Sequence, residues 1–130
     1  MARPTSRHPT ELELAILKIL WRGGPCSVRQ VREALVEFRE LAHTSVMTIL
    51  GIMTRKGYAR RNKQGGSYVY KAVVTEQQAT QGMLRDLVDR VFDGSAVAVM
   101  QRLLDTADLD ADELAQVRQL INRKAKEQGE

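Results

Sequence analysis

The chain has 130 residues, 43% of them apolar and 5% aromatic, with a formal net charge of +4. This length allows one domain, or one small domain with an assembly arm, and the apolar share excludes a disordered chain. Its single cysteine, Cys26, excludes an internal disulfide and lacks partners for a zinc site, which points to a cytoplasmic protein with no metal and no other cofactor.

Residues 1–8, Met-Ala-Arg-Pro-Thr-Ser-Arg-His, are positively charged with no apolar stretch behind them, so they read as a mobile basic arm and not as a signal peptide. Thr10 and Glu13 have capping-box spacing and open a first helix, Glu11 to Trp21. Leu12, Ala15, Ile16, Ile19 and Leu20 form its inward face, Trp21 belongs to the core, and Gly23-Gly24-Pro25 ends it. Ser27 and Gln30 repeat the capping signal for a second helix, Val28 to Phe38. Val28, Val31, Leu35 and Phe38 are expected inward, and Arg29, Arg32, Glu33 and Glu37 outward.

A third helix starts near Thr44. Val46, Ile49, Leu50 and Met53 fall at i, i+3, i+4 and i+7 and define its core face. Thr44, Ser45, Met47, Thr48 and Gly51 then point away. A plain solvated helix would carry Lys and Glu there. Hydroxyls and one apolar tip suit base edges and a thymine methyl. The alternative is that Thr44 and Ser45 merely cap the helix and Met47 packs inside. Gly57 is expected to close this helix in the left-handed conformation, with Arg55 and Lys56 in the last turn.

Tyr58–Arg61 and Ser67–Val73 read as two strands of a hairpin turned by Gln64-Gly65-Gly66. Arg60, Arg61 and Lys63 on that hairpin can reach phosphates, and Arg29 and Arg55 join them as candidate DNA-facing cations. A charged hairpin can also be only a solvated edge that resists aggregation. Helix, turn, helix and basic hairpin make up the layout of a winged helix-turn-helix.

From Thr75 onward the pattern is helical. A helix over Glu76–Phe92 carries Ala79, Met83, Leu84, Leu87, Val88 and Val91 as an apolar stripe, and Thr75 with Gln78 caps it. Asp93-Gly94 breaks it, and Ser95 caps a short helix, Ala96 to Leu104, with Val97, Val99, Met100, Leu103 and Leu104. Asp110 and Glu113 open a last helix, Ala111 to Lys124, that presents Leu114, Val117, Leu120 and Ile121. Three such helices make a thin core alone, so a second copy of the chain is the expected cover for these faces. The alternative is an arm folded back on its own N-terminal domain.

The expected fold is therefore mainly α with a small β-hairpin: a winged helix-turn-helix domain over 1–74 and a helical dimerisation domain over 75–130. Charge divides in the same sense. Residues 1–72 hold 13 Lys/Arg against 5 Asp/Glu, and residues 73–130 hold 7 against 11. A basic front of this kind faces a polyanion. An enzyme is not expected, because neither His8 nor His43 sits in a catalytic constellation and no phosphate-binding Gly loop occurs. A winged-helix protein-interaction module would explain the fold and the arm but not the basic front.

Thr10-Glu-Leu-Glu-Leu-Ala-Ile-Leu-Lys-Ile-Leu-Trp21, then Val28-Arg-Gln-Val-Arg-Glu-Ala-Leu35, then Thr44-Ser-Val-Met-Thr-Ile-Leu50 with Lys56-Gly57-Tyr58, resembles the penicillinase-repressor family (BlaI/MecI/CopY) over nearly the whole chain. The resemblance implies a cytoplasmic homodimeric repressor whose third helices enter the major grooves of a palindromic double-stranded DNA operator. It implies that Thr44, Ser45, Met47 and Thr48 line the groove and that Arg60, Arg61 and Lys63 touch phosphate. Copper-responsive members carry paired cysteines near the C-terminus, and none stands there in this chain. In β-lactam-responsive members a membrane-bound sensor protease cuts an Asn-Phe bond, where this chain has Arg102-Leu103. Such a protease partner and a cleaved bond are thus open, as is the inducer, and insertion into the membrane is not expected.

Overall fold

A computed structural model describes residues 8–129. Residues 1–7 of the expected basic arm lie outside them, and its last residue, His8, is not free but pairs through Nε2 with Asp86 at 3.0 Å. The chain divides into two compact units between Leu87 and Val88. In the first unit the order is α1 (Glu11–Gly23), β1 (Cys26–Ser27), α2 (Val28–Leu35), α3 (His43–Arg55), β2 (Ala59–Gln64), β3 (Ser67–Ala72) and then α4 (Glu76–Val91), within which the boundary falls. The sheet is antiparallel in the order β1-β3-β2. The expected hairpin forms from β2 and β3, and a third strand, not expected, joins it at β3. The added strand is only two residues long, Cys26 pairing with Tyr70 and Ser27 with Val69, too short to leave an alternating pattern.

The helix starts obey local chemistry. Thr10, Ser27 and Thr75 each accept from the amide three residues on, and Glu13, Gln30 and Gln78 each reach back to the amide of the first residue. Two otherwise orphaned donors are satisfied at each of these ends. Gly24 ends α1 at φ 72, and Gly57 follows α3 at φ 84. The amide of Gly57 donates to the Thr54 carbonyl at 3.1 Å and that of Tyr58 to Met53 at 2.9 Å. These crossed bonds form a Schellman motif, which turns the chain directly from α3 into β2.

Ile16, Leu17, Leu35, Leu50, Met53, Val31 and Val46 are fully buried and tie α1, α2 and α3 together. Each such side chain contributes roughly 1.5–3 kcal/mol of burial. Leu17 was not expected on the inward face of α1. The expected Leu12, Ala15 and Ile19 are half-buried and flank the core. Phe38 corrects the reading of the second helix. The regular helix ends at Leu35 and the chain continues as turns, leaving Phe38 51% exposed. The amides of Phe38 and Arg39 both donate to the Leu35 carbonyl, a pattern that halts the helical phase on which the expectation rested.

Two long-range polar ties set the frame. Trp21 is half-buried against the core, and its Nε1 donates to the Val74 carbonyl at 2.9 Å, which pins the end of the sheet to α1. Glu13, 4% exposed, accepts from Lys56 Nζ at 3.1 Å with both carboxylate oxygens while also completing the α1 capping box. One carboxylate thus fixes the first turn of α1 to the last turn of α3. A buried charge is tolerated only when paired in this way.

The second unit contains α5 (Ala96–Thr106) and α6 (Ala111–Gln128). Asp93 at φ 53 and Gly94 at φ 80 make the break before them. Ser95 accepts from the Ala98 amide, and Asp110 with Glu113 completes a fourth capping box. Neither helix buries a residue.

Candidate nucleic-acid interface

The face of α3 opposite the core is built of the expected residues. Val46, Leu50 and Met53 are at 0% exposure, whereas Thr44, Ser45 and Thr48 are exposed and Met47 is 49% exposed. Met47 therefore does not pack inside. Capping does not account for the hydroxyls either: Ala42 is the N-cap and contributes no side-chain bond. Thr48 Oγ1 donates to the Thr44 carbonyl at 3.0 Å. Its proton is used within the helix, and the hydroxyl oxygen keeps lone pairs that can accept from a ligand.

The wing cations fall on two faces. Along a strand, successive side chains alternate, and directly paired residues share a side. Arg61 pairs with Tyr70, Lys63 with Tyr68 and Ala59 with Ala72, while Arg60 pairs with Lys71 and Asn62 with Val69. Ala59 and Tyr70 are buried at the base of the first of these faces. Arg61 and Lys63 extend that face past the core toward the hairpin tip, and Arg60 belongs to the other. Gly65 turns the tip at φ 63. The Arg61 guanidinium lies 4.2 Å from the centroid of the Tyr68 ring, a cation–π stack.

Arg29 is exposed in the first turn of α2 and paired with Glu33 at 3.1 Å. An exposed i,i+4 pair of this kind is worth little and opens readily to a competing anion. Arg55 is exposed in the last turn of α3. Sequence reasoning missed Glu13 and Lys56, which hold α3 in place across 43 positions of chain. No local pattern encodes a contact at that separation, and the capping spacing already accounted for Glu13.

Cys26 is buried, its Sγ donates to the Gly24 carbonyl at 3.2 Å, and burial pushes the thiol pKa up, away from a reactive thiolate. Among the described residues no group of three His, Cys, Asp or Glu could hold a metal ion. No described helix is long and apolar enough to cross a membrane.

A three-helix core whose third helix turns a polar face to solvent, followed by a small antiparallel wing, has the architecture of a winged-helix DNA-binding protein. The chain belongs to the penicillinase repressor family, whose model matches residues 9–123. Members of that family are transcriptional regulators. A transcriptional regulator BlaI of Mycobacterium tuberculosis is 31% identical over 102 residues, covering 77% of this chain and 74% of the relative. The methicillin resistance regulatory protein MecI of Mammaliicoccus sciuri is 20% identical over 112 residues, covering 86% and 91%. Among solved structures, a complex structure of RosR from H. salinarum aligns over 94% of this chain and 96% of that one, with a TM-score of 0.52 and 18% identity. That likeness shows the fold alone.

Proposed function

We propose that this repressor acts in the cytoplasm as a homodimer on a pseudo-palindromic operator, with residues 1–74 binding DNA and residues 75–130 joining the two copies. Each α3 enters a major groove, where Thr44, Ser45, Met47 and Thr48 meet base edges, and Arg29, Arg55, Arg60, Arg61 and Lys63 meet the flanking phosphates. The observation that carries this reading is the outward face of α3: three hydroxyl side chains and a half-exposed Met, none spent on the core or on the N-cap.

The dimer reading rests on exposed apolar surface. Leu84, Leu87 and Val91 of α4 are 55%, 44% and 62% exposed. On α5, Met100, Leu103 and Leu104 are 53%, 51% and 52% exposed, and on α6, Leu114, Leu120 and Ile121 are 41%, 54% and 57% exposed. Met83, Val88, Val99 and Val117 are half-buried beside them. Helices that present such faces to water lack the burial that stabilises them, and a second copy supplies it. Two winged helices held by one dimer read half-sites about one or two helical turns apart.

Proteolysis of the C-terminal arm by a membrane-bound sensor protease would separate the two copies and release the operator. The Arg102–Leu103 bond lies inside α5. A protease acting there has to unwind a helical turn, since exposed loop tips are the ordinary sites of nicking.

Selecting bound duplexes from a random pool tests the whole reading. The expected product is a two-fold symmetric site whose affinity falls steeply with salt. Asymmetric sites, or duplex binding indifferent to salt, would favour a protein-interaction module.

A further inference from the structure

We infer that Tyr68 is a positioning residue for duplex binding: its ring holds the Arg61 guanidinium on the side of the wing that continues the core-facing surface, ready for a phosphate beside the groove that α3 enters. This deepens the DNA-binding proposal and rests on it. Three observations carry it. Tyr68 and Arg61 lie on neighbouring strands, diagonally displaced, since Arg61 pairs with Tyr70 and Tyr68 with Lys63. The ring-to-guanidinium distance is 4.2 Å. Tyr68 is 42% exposed and Arg61 is exposed, so the stack is not part of the sealed core.

A cross-strand aromatic contact modestly stabilises any hairpin, but this ring also lies on one face with two exposed cations, Arg61 and Lys63. A long, charged side chain loses considerable rotamer freedom when it is fixed on a ligand. Stacking removes part of that loss before binding, because the planar guanidinium is already immobilised while its N–H edges remain free to donate. The same register sets Arg60 on the opposite face, beside Lys71 and away from the stack. The aromatic face matters in this arrangement, and the phenol hydroxyl does not.

The test uses the full chain, one duplex selected from a random pool and one random duplex, with affinity measured across a range of salt. Tyr68→Phe is expected to bind as the wild type does. Tyr68→Leu should weaken both duplexes about two- to fivefold at every salt concentration, the range for an exposed cation–π contact, with an unchanged salt slope because the charge is still present. Arg61→Lys, which keeps the charge and loses the planar stack, should match Tyr68→Leu. Arg61→Ala should make the slope shallower by about one, and adding Tyr68→Leu to it should cost nothing more.

Tyr68→Leu binding like the wild type, Tyr68→Phe failing like Tyr68→Leu, or losses that add in the double variant would each overturn the inference while leaving DNA binding intact. A wild-type chain with no salt-dependent duplex affinity would instead overturn the reading beneath it. Thermal melting of each variant shows whether the fold is intact. A Tyr68→Leu variant with a lowered melting temperature and an affinity loss that Arg61→Lys does not share would also count against a positioning role.

Discussion

The helices before Leu87 and those after it use the same amphipathic pattern and reach opposite ends. In the first unit, seven large side chains from α1, α2 and α3 are sealed from water, and two polar ties lock the frame around them. In the second, α5 and α6 bury nothing, although they carry comparable leucines, valines and methionines. Capping does not separate them, for α6 has as complete a capping box as α1. The difference is what lies opposite. Three helices crossing over a small sheet close a core within one chain, whereas two helices joined by a short turn leave their stripes in water. A good start signal forms a helix; only a partner surface makes it stable.

The widest contrast is expected from one substitution made in both units. Leu50→Ala should destabilise the first unit by about 2–5 kcal/mol, because it opens a cavity in a sealed core, and thermal melting measures it. Leu120→Ala should scarcely move that transition. An equal loss at both positions would erase the distinction between the two units.

Next comes the dimer. Leu120→Asp puts a charge where the shared core is proposed, and desolvating an unpaired carboxylate is prohibitive. Sedimentation should show monomers that retain the first unit's melting transition. A dimer that persists would place the interface elsewhere.

A smaller effect sharpens the role of the exposed face of α3. Thr48→Ala should weaken the selected operator by about 1–3 kcal/mol relative to random duplex if Thr48 meets a base. Equal weakening on both would remove it from sequence readout.

The smallest effect concerns Tyr58, at the joint between α3 and β2. Burial raises its phenol pKa, the nearby Lys56 lowers it and Glu13 raises it, with a net shift upward from 10.0. Below that value the phenol is protonated in the folded and unfolded chain alike, so stability there is independent of it. As pH rises further, the unfolded phenol ionises first, and stability falls until the folded value is passed. Melting above pH 10 should therefore drop less in Tyr58→Phe than in the wild type, and identical alkaline profiles would contradict the shift.

Much of this was readable along the chain because its causes are local. A short polar side chain and an acid or amide three residues on are enough to write a capping box, and all four predicted boxes form. Val46, Leu50 and Met53 identify the buried side of α3 by spacing alone, and the exposed side follows by subtraction. The misreadings arise where contacts are distant or the pattern is short. Phe38 kept a helical phase that the backbone had already left. Leu17 is in phase with Glu13, Ile16 and Leu20, at i, i+3, i+4 and i+7, and the charge of Glu13 at the head of that set hides the face. The two residues of β1 carry no period at all.

Local hydrogen-bond chemistry and hydrophobic period thus set the helices, the four boxed helix starts and the polar face of α3, since each needs only neighbours within a few positions. The tertiary structure alone decided that Glu13 would meet Lys56, that Trp21 would hold Val74, and that register would send Arg61 and Arg60 to opposite sides of the wing. Those outcomes join residues far apart in the chain, or depend on how one strand slides against another, and no short stretch of sequence contains both halves of such a contact.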